Sequence, residues 1–163
     1  MLVPSAIMQS MASFVAQNVG AGNEKRARDS MKCGMLIGSC VGVVIMYVSY
    51  FHGDIISSIF SNDSAVIAKS AEYLRGFAPE AIVTCILFSF MGYFNGRSQS
   101  TFVMLQGLAQ SIIIRLPLSY VMSIQPDASL TGIALAAPAA TVFGIILCTL
   151  YYAYNNRKKS ALT

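Results

Sequence analysis

Long stretches of this sequence contain almost no charged residue, and this feature restricts the possible folds more than any other. A helix that crosses a bilayer needs about 20 predominantly apolar residues to span roughly 30 Å of hydrocarbon. Within the runs of this kind, only Glu80 and Arg115 are charged. The sequence therefore predicts an all-α, polytopic membrane bundle of about five transmembrane helices. The predicted spans cover approximately residues 1–19, 33–51, 77–95, 101–123 and 130–154.

Composition excludes the other broad classes of chain. Hydrophobic residues make up 55% of the 163 residues and charged residues 11%, whereas a soluble domain carries about 25% charged residues. Disordered chains are poor in apolar residues, so disorder is excluded as well. The first run lacks the cationic start of a signal peptide, because no basic residue precedes Lys25 and Pro4 lies where that start belongs. We therefore count residues 1–19 as a span and residues 1–163 as one membrane-embedded bundle.

The distribution of Lys and Arg orients the predicted spans. Five spans place segments 20–32, 96–100 and 155–163 on one side, and segments 52–76 and 124–129 on the other. The first side holds eight of the eleven basic residues and the second side holds two. Basic residues in short loops mark the cytoplasmic face. The prediction is a multi-pass protein of the inner or plasma membrane, with its N-terminus outside and its C-terminus in the cytoplasm.

One segment between spans has the pattern of a helix that lies at the membrane surface. Asp63 and Ser64 are N-cap candidates, and apolar residues follow them at helical spacing. We predict an interfacial helix over residues 63–75, on the outer side of the bilayer.

Several classes of function lack the residues that they need. The four cysteines form no C-x-x-C pair and His52 is the only histidine, so no metal or redox site is predicted. An intramembrane enzyme would need a nucleophile with a base, or a metal cluster, and neither can be assembled. Nucleic-acid binding needs a basic patch on a soluble surface. We expect no enzyme activity, no cofactor and no nucleic-acid partner, and the lipid bilayer as the surrounding medium.

A few polar residues inside the predicted spans are candidates for function. A charge within the hydrocarbon costs about 2.5–3.5 kcal/mol at its centre on insertion scales, so Glu80 and Arg115 need a reason to be there. Both fall in the outer half of their spans, and we predict that they contact each other. Gln106 and Gln110 lie one helical turn apart and form a polar stripe, which either bonds a neighbouring helix or faces an aqueous cleft. Pro79 lies beside the acid, where it predicts a packing kink or a carbonyl freed for ligand contacts.

Short motifs in the loops carry a family resemblance. Gly20 and Gly22 in the first motif can take the left-handed conformation that ends a helix. In their order along the chain, the motifs resemble the multidrug and toxic compound extrusion (MATE) family, and the fourth favours its C-terminal lobe. The four motifs are Gln17-Asn18-Val19-Gly20-Ala21-Gly22-Asn23, Tyr73-Leu74-Arg75, Phe94-Asn95-Gly96 and Arg115-Leu116-Pro117-Leu118-Ser119-Tyr120.

The resemblance implies a fold and a function. Members of the family have twelve spans in two six-helix lobes, and the five spans here correspond to helices eight to twelve. The seventh helix and the N-terminal lobe are then missing, as in a truncated frame or one piece of a split transporter. The implied function is part of a Na⁺- or H⁺-coupled antiporter that exports drug-like, mostly cationic organic compounds by alternating access. A flippase of lipid-linked substrates from the same superfamily and a non-catalytic membrane scaffold are the alternatives.

The resemblance also bears on the site. Family antiporters use membrane-embedded acids to couple ions, some of them in the C-terminal lobe. Glu80 does not fall securely on that lobe's acidic position, which is nearer Thr84, one turn deeper. Thr84 can coordinate an ion but cannot carry its charge. Glu80 is thus either an ion-coupling residue or a structural partner of Arg115. The ion or substrate candidates are Glu80, Thr84, Arg115, Gln106 and Gln110.

Overall fold

A computed structural model describes residues 2–124 and 130–160 of the chain, and within them every regular element is a helix. Met1, residues 125–129 of the predicted turn 124–129, and residues 161–163 lie outside the described residues. The predicted all-α class is confirmed. A π-helical segment, Gln110–Arg115, joins two of the α-helices. The α-helices are α1 (Leu2–Gly20), α2 (Glu24–Phe51), α3 (Gly53–Ser58), α4 (Ser64–Phe77), α5 (Glu80–Gly96), α6 (Ser100–Ala109), α7 (Leu116–Ile124), α8 (Leu130–Ala134) and α9 (Ala136–Ser160).

The connection between α1 and α2 is much shorter than the sequence indicated. We expected segment 20–32 to be a loop, but α2 already begins at Glu24. The Asn23 side chain caps this helix by accepting a hydrogen bond from the Arg26 amide at 3.3 Å, and the residues after Glu24 include good helix formers. The basic residues of this segment therefore lie on the first turns of a long helix rather than in a loop.

Three stretches of helix are long and apolar enough to cross a membrane, namely Glu24–Phe51, Ser100–Ile124 and Leu130–Arg157. α4 and α5 qualify together as a fourth span that is bent by 47° at the break between them, where Pro79 lies. α1 has 19 residues but does not reach the same apolarity over a continuous 18-residue window. The count of five spans and the placement of α4 at the membrane surface remain predictions.

α5 is the central helix, and glycines on α2 let the two backbones approach each other. Gly34, Gly38 and Gly42 recur every fourth residue on the buried face of α2. A Cβ atom added at Gly42 would lie 2.8 Å from the Ile82 Cα and 2.9 Å from the Ala81 carbonyl oxygen, both on α5. Small residues at this spacing are the usual means by which membrane helices pack closely. Gly38 and Gly42 therefore set the distance between α2 and α5, whereas Gly34 faces α1.

α5 has glycines of its own on the side that faces α1. A Cβ atom at Gly92 would lie 2.7 Å from the Met8 carbonyl oxygen, and one at Gly96 would lie 2.6 Å from the Ala12 carbonyl oxygen. α9 and α6 cover other parts of the same helix. α5 is consequently enclosed by neighbours, and nine of its seventeen residues are buried.

The two turns that join α1 to α2 and α5 to α6 share one hydrogen-bond pattern. In the first, the Asn23 amide donates to the Asn18 carbonyl at 2.8 Å and the Gly22 amide to the Val19 carbonyl at 3.0 Å. This is a Schellman motif, and Gly22 takes its left-handed position with φ +73°. Gly20 was the other candidate for a left-handed residue, but it ends α1 with a negative φ.

The second turn builds the same motif without a glycine. The Gln99 amide donates to the Phe94 carbonyl at 2.9 Å and the Ser98 amide to the Asn95 carbonyl at 3.0 Å. Ser98 occupies the left-handed position, with φ 60°. It is the only non-glycine residue with positive φ in the described parts of the chain, and this conformation carries a steric cost for an L-residue.

An ion pair joins these two turns at one end of the bundle. Arg97 Nη1 lies 2.5 Å from Glu24 Oε2, and Nη2 lies 3.0 Å from Glu24 Oε1. Arg97 also donates to the Tyr93 hydroxyl at 3.1 Å. The hydrogen bonds from Arg97 to Glu24 raise the pKa of Arg97 above its ordinary value. A bidentate pair of this kind is among the stronger polar contacts available to a protein, and it holds the beginning of α2 against the end of α5.

The left-handed serine leads to a stability prediction. Ser98→Gly should stabilise the chain by about 0.5–1 kcal/mol, because a relief of about 1–2 kcal/mol of backbone strain is offset partly by the greater freedom of glycine in the unfolded chain. The measurement is the free energy of unfolding in detergent micelles. Ser100→Gly, in the first turn of α6 with helical dihedral angles, is the matched control and should give no gain. Equal effects of the two changes would contradict the strain assignment.

The glycine contacts lead to a second prediction. Gly42→Ala should lower the free energy of unfolding by about 1–3 kcal/mol, the usual cost of overpacking, because the new methyl group meets the backbone of α5. Gly107→Ala is the matched control, since a Cβ atom there meets nothing within 4 Å. Its gain in helix propensity should stabilise the chain by roughly 0.5–1 kcal/mol. Changes of the same sign at both positions would contradict the close approach of α2 to α5.

Candidate functional site

Four polar side chains form one continuous hydrogen-bond chain in the interior of the bundle. The Thr141 hydroxyl on α9 donates to Glu80 Oε1 at 2.9 Å. Gln110 Nε2 donates to the Thr141 hydroxyl oxygen at 3.3 Å, and Gln106 Nε2 donates to Gln110 Oε1 at 2.7 Å. Glu80, Gln106 and Thr141 are each at most 3% exposed. The chain thus links the beginning of α5 through α9 to the junction of α6 with the π-helical segment.

Local structure places the acid at the beginning of α5. Glu80 is the first residue of this helix and comes directly after Pro79, at the break where α4 and α5 meet at 47°. Thr84 lies one turn further along the same face and is 3% exposed. Because α1, α2 and α9 all pack on α5, both side chains point into the bundle rather than toward lipid.

A glycine on α9 makes room for the two glutamines. A Cβ atom at Gly144 would lie 2.5 Å from Gln106 Nε2 and would also overlap Gln110 Oε1. Because Gly144 has no side chain, the side-chain amides of Gln106 and Gln110 can pack directly against the backbone of α9. The sequence predicted the polar stripe of Gln106 and Gln110 and left two roles open, and the structure shows that it bonds a neighbouring helix.

Three buried oxygens in this region have no hydrogen-bond partner among the described residues: Glu80 Oε2, Thr84 Oγ1 and Gln106 Oε1. Burying a polar group without a partner costs free energy, and most buried polar groups in native proteins are satisfied. Two of the three atoms belong to residues one turn apart on α5. The Thr84 hydroxyl lies close enough to the Glu80 carboxyl to interact with it, so these two side chains form one polar position on α5.

A small cavity of about 130 Å³ lies beside these two residues. Its walls come from α1, α2 and the α4–α5 break, and they are mostly apolar. A water molecule occupies roughly 30 Å³ in the liquid, so the cavity has room for a small ion with a few waters. The lining residues are Pro4, Ile45, Ser49, Phe77, Ala78, Glu80, Ala81 and Thr84.

The predicted contact between Glu80 and Arg115 is not formed as an ion pair among the described residues. Arg115 is exposed, and Glu80 Oε1 is bonded to Thr141 instead. In the π-helical segment the Leu116 amide bonds to the Ser111 carbonyl, five residues earlier. Arg115 at the end of this segment is exposed, whereas Gln106 is buried.

Sequence reasoning missed Thr141, although it is the residue that connects the acid to the glutamines. A sequence signal existed, because Thr141 comes directly after the small-residue stretch Ala136-Ala137-Pro138-Ala139-Ala140 within an apolar run. A hydroxyl at such a point of close packing is well placed to bond across helices. The contact of the two glutamine amides with Gly144, by contrast, could not be predicted without knowing how α9 packs against them.

The residues of the first and third motifs lie far from this site and have structural roles. Asn95 is fifteen residues beyond Glu80 on the same helix, or about 23 Å at 1.5 Å per residue. Gly96 provides the contact of α5 with α1, and Gly22 and Gly20 belong to the first turn. Asn18 is buried, and its side-chain amide donates to the Phe14 carbonyl at 2.7 Å. Gln17 is exposed, and its backbone carbonyl accepts a hydrogen bond from the Ala21 amide. Within the parts of the chain that the structure describes, no three His, Cys, Asp or Glu side chains are grouped to hold a metal.

Comparison with known proteins gives three matches. The MatE family model matches residues 1–121. The protein DETOXIFICATION 28 of Arabidopsis thaliana is 36% identical over 67 residues, which is 41% of this chain and 14% of that protein. The solved inward-facing structure of a multidrug resistance MATE family transporter of the MOP superfamily superimposes with a TM-score of 0.69 at 12% identity. The match covers 95% of this chain and 35% of the transporter.

The structural match shows a shared fold, and the chain spans about a third of that transporter's length. The family model covers most of the chain, so the resemblance inferred from the loop motifs is confirmed. The chain belongs to the MatE family, whose members are multi-pass membrane transporters and not enzymes.

Proposed function

We propose that this chain is part of a cation-coupled efflux antiporter and that Glu80 with Thr84 holds the coupling ion. The observation that carries the proposal is the pair of buried oxygens, Glu80 Oε2 and Thr84 Oγ1, which have no partner among the described residues and belong to residues that line one cavity. An acid within a membrane bundle is costly and marks an ion pathway by default. A proton or Na⁺ bound there would offset this cost.

The surroundings of Glu80 favour a cation. Arg115 forms no ion pair with the carboxylate, and Thr141 supplies a hydroxyl hydrogen bond but no positive charge. Carboxylate and hydroxyl oxygens are the ligands that hard cations prefer. A cation that enters the cavity can bind Oε2 directly while Oε1 keeps its bond to Thr141.

The transported compounds and the second lobe rest on family membership and are part of the proposal. Alternating access needs two repeats that rock about a site near the bilayer midplane. We infer that a complementary lobe completes this chain and that the exported compounds are organic cations. Basic residues at the two turns joined by Arg97 and Glu24 favour that end as the cytoplasmic one, with the N-terminus outside.

Replacing the acid tests the coupling role. Glu80→Gln keeps the size of the side chain and its bond to Thr141 but removes the charge. In proteoliposomes that contain the chain with its complementary lobe, efflux of a cationic dye driven by a pH or Na⁺ gradient should fall at least about tenfold, which corresponds to a loss of about 1.4 kcal/mol.

Glu72→Gln is the matched control, because Glu72 pairs with Lys69 on α4 at 3.2 Å outside the cavity. It should leave efflux unchanged. Unchanged efflux with Glu80→Gln would contradict the coupling role. If the unmodified protein moves a lipid-linked substrate but exports no dye, the flippase alternative is favoured. If it transports neither, a membrane scaffold is favoured.

Replacing Thr84 tests the second ligand. Thr84→Val removes the hydroxyl while keeping the shape, so binding of radioactive Na⁺ to the chain in lipid nanodiscs should weaken about tenfold, the effect of losing about 1.4 kcal/mol. Thr84→Ser restores a hydroxyl and should recover the affinity. Equal Na⁺ binding by the valine and serine variants would remove Thr84 from the site.

A further inference from the structure

A shallow groove of about 380 Å³ runs between α1 and α2, beside the turn that joins these helices. Arg26 and Asp29 lie at its mouth, on the first two turns of α2. Ile37, also on α2, lies about 16 Å further along the helix than Arg26 at 1.5 Å per residue, and Phe14 of α1 lines the same groove. The groove is therefore polar at one end and apolar at the other, as a phospholipid is.

The length of α2 places this groove across the boundary of the hydrocarbon. α2 has 28 residues and is about 42 Å long, whereas the hydrocarbon is about 30 Å thick. About 12 Å of the helix extends beyond the hydrocarbon. All charged residues of α2 lie between Glu24 and Lys32, so this is the end that protrudes. Arg26 is then at the level of the lipid headgroups and Ile37 at the level of the acyl chains.

The charge at this end of α2 is positive. The helix exposes four basic side chains there. Asp29 is the one exposed acid among them, because Glu24 is bonded to Arg97. Basic residues that cluster at the headgroup level attract anionic lipids. The four basic residues are Lys25, Arg26, Arg28 and Lys32.

Of these four residues, Arg26 is the one that lines the groove. Its guanidinium carbon lies 5.7 Å from the centroid of the Phe14 ring, within the distance of a cation–π contact. This contact holds the Arg26 side chain against α1, and the guanidinium forms no ion pair among the described residues. The planar fork of an arginine matches the oxygens of a phosphate group. Arg26 is therefore placed to bind a lipid phosphate at the mouth of the groove.

Asp29 at the same mouth selects among headgroups. Its carboxylate forms no ion pair in the described parts of the chain, and a carboxylate only accepts hydrogen bonds. Ser30 is already committed, because its hydroxyl donates to the Arg26 carbonyl at 2.6 Å. A glycerol headgroup presents hydroxyl donors next to its phosphate, whereas a choline headgroup presents none. Phosphatidylglycerol therefore matches both Arg26 and Asp29.

We propose that the groove between α1 and α2 binds one anionic phospholipid. Its phosphate lies on Arg26, its headgroup hydroxyls lie on Asp29, and an acyl chain lies against Phe14 and Ile37. These two apolar residues are 41% and 57% exposed, so they leave apolar surface for the acyl chain to cover. The site needs neither an ion at Glu80 nor a particular orientation of the chain in the membrane.

Tryptophan fluorescence tests the site, because the sequence contains no tryptophan. Ile37→Trp places one reporter in the groove, and Ile146→Trp, at another exposed isoleucine on α9, is the matched control outside it. Each variant of the 163-residue chain is inserted into phosphatidylcholine vesicles that contain phosphatidylglycerol with brominated acyl chains, which quench a nearby tryptophan. The dependence of quenching on lipid composition gives the association constant of phosphatidylglycerol relative to phosphatidylcholine.

This ratio should be about fivefold for Ile37→Trp, which corresponds to about 1 kcal/mol, and close to one for Ile146→Trp. Adding Arg26→Gln to the Ile37→Trp chain should lower the ratio to about one. Arg28→Gln is the matched control, because it removes the same charge from the same two turns but outside the groove. It should leave the ratio unchanged.

Several results would overturn the inference. A ratio near one for Ile37→Trp, or an equal loss with Arg26→Gln and Arg28→Gln, would show that no specific site exists. Brominated phosphatidylethanolamine that quenches as strongly as phosphatidylglycerol would contradict an anionic ligand. Inorganic phosphate that removes the preference, when chloride of equal ionic strength does not, would make free phosphate the ligand. Loss of the preference when the complementary lobe is added would show that protein covers the groove instead of lipid.

Discussion

α5 packs so closely against α1 and α2 that backbone meets backbone at glycines. In a bilayer, helices gain little by burying apolar surface against one another, so association depends on van der Waals packing at small residues. Glycines on α2 meet the backbone of α5, and glycines on α5 meet the backbone of α1. This enclosure turns the beginning of α5 into a buried position. The carboxyl group of Glu80 at this position therefore has little contact with water or with the lipid headgroups.

The two ends of α5 differ in how completely their polar groups are bonded. At one end, Arg97 forms a bidentate pair with Glu24, and two Schellman turns close the helices with backbone hydrogen bonds. At the other end, the helix begins at a break after Pro79, and the buried oxygens of Glu80 and Thr84 include two with no partner among the described residues. The bonded contacts lie at the first end and the unpartnered buried oxygens at the second, and strained or unsatisfied groups often cluster at functional sites.

The family motifs and the candidate site are therefore separate features. The first and third motifs form the turns and the helix contact at the end joined by Arg97 and Glu24. The candidate residue Glu80 lies about 23 Å from Asn95 along α5 at helical rise. Glu80 and Thr84 were reached through the cost of burying polar groups in lipid and through the family resemblance. These two motifs do not by themselves assign the candidate ion site, because their residues lie away from it.

The sequence by itself determined the helical class, the membrane setting, the approximate positions of the long helices, the cap at Asp63 and the importance of Glu80, because each depends on local composition or on the energy of a charge in hydrocarbon. Tertiary structure alone decided the partner of Glu80. Local spacing suggested Arg115, but Arg115 is exposed without an ion pair to Glu80, and the hydroxyl that bonds the acid comes from Thr141, about sixty residues away. Helical periodicity cannot reveal an extra residue in a turn, nor which face of α9 meets α5, since both depend on how the backbones pack.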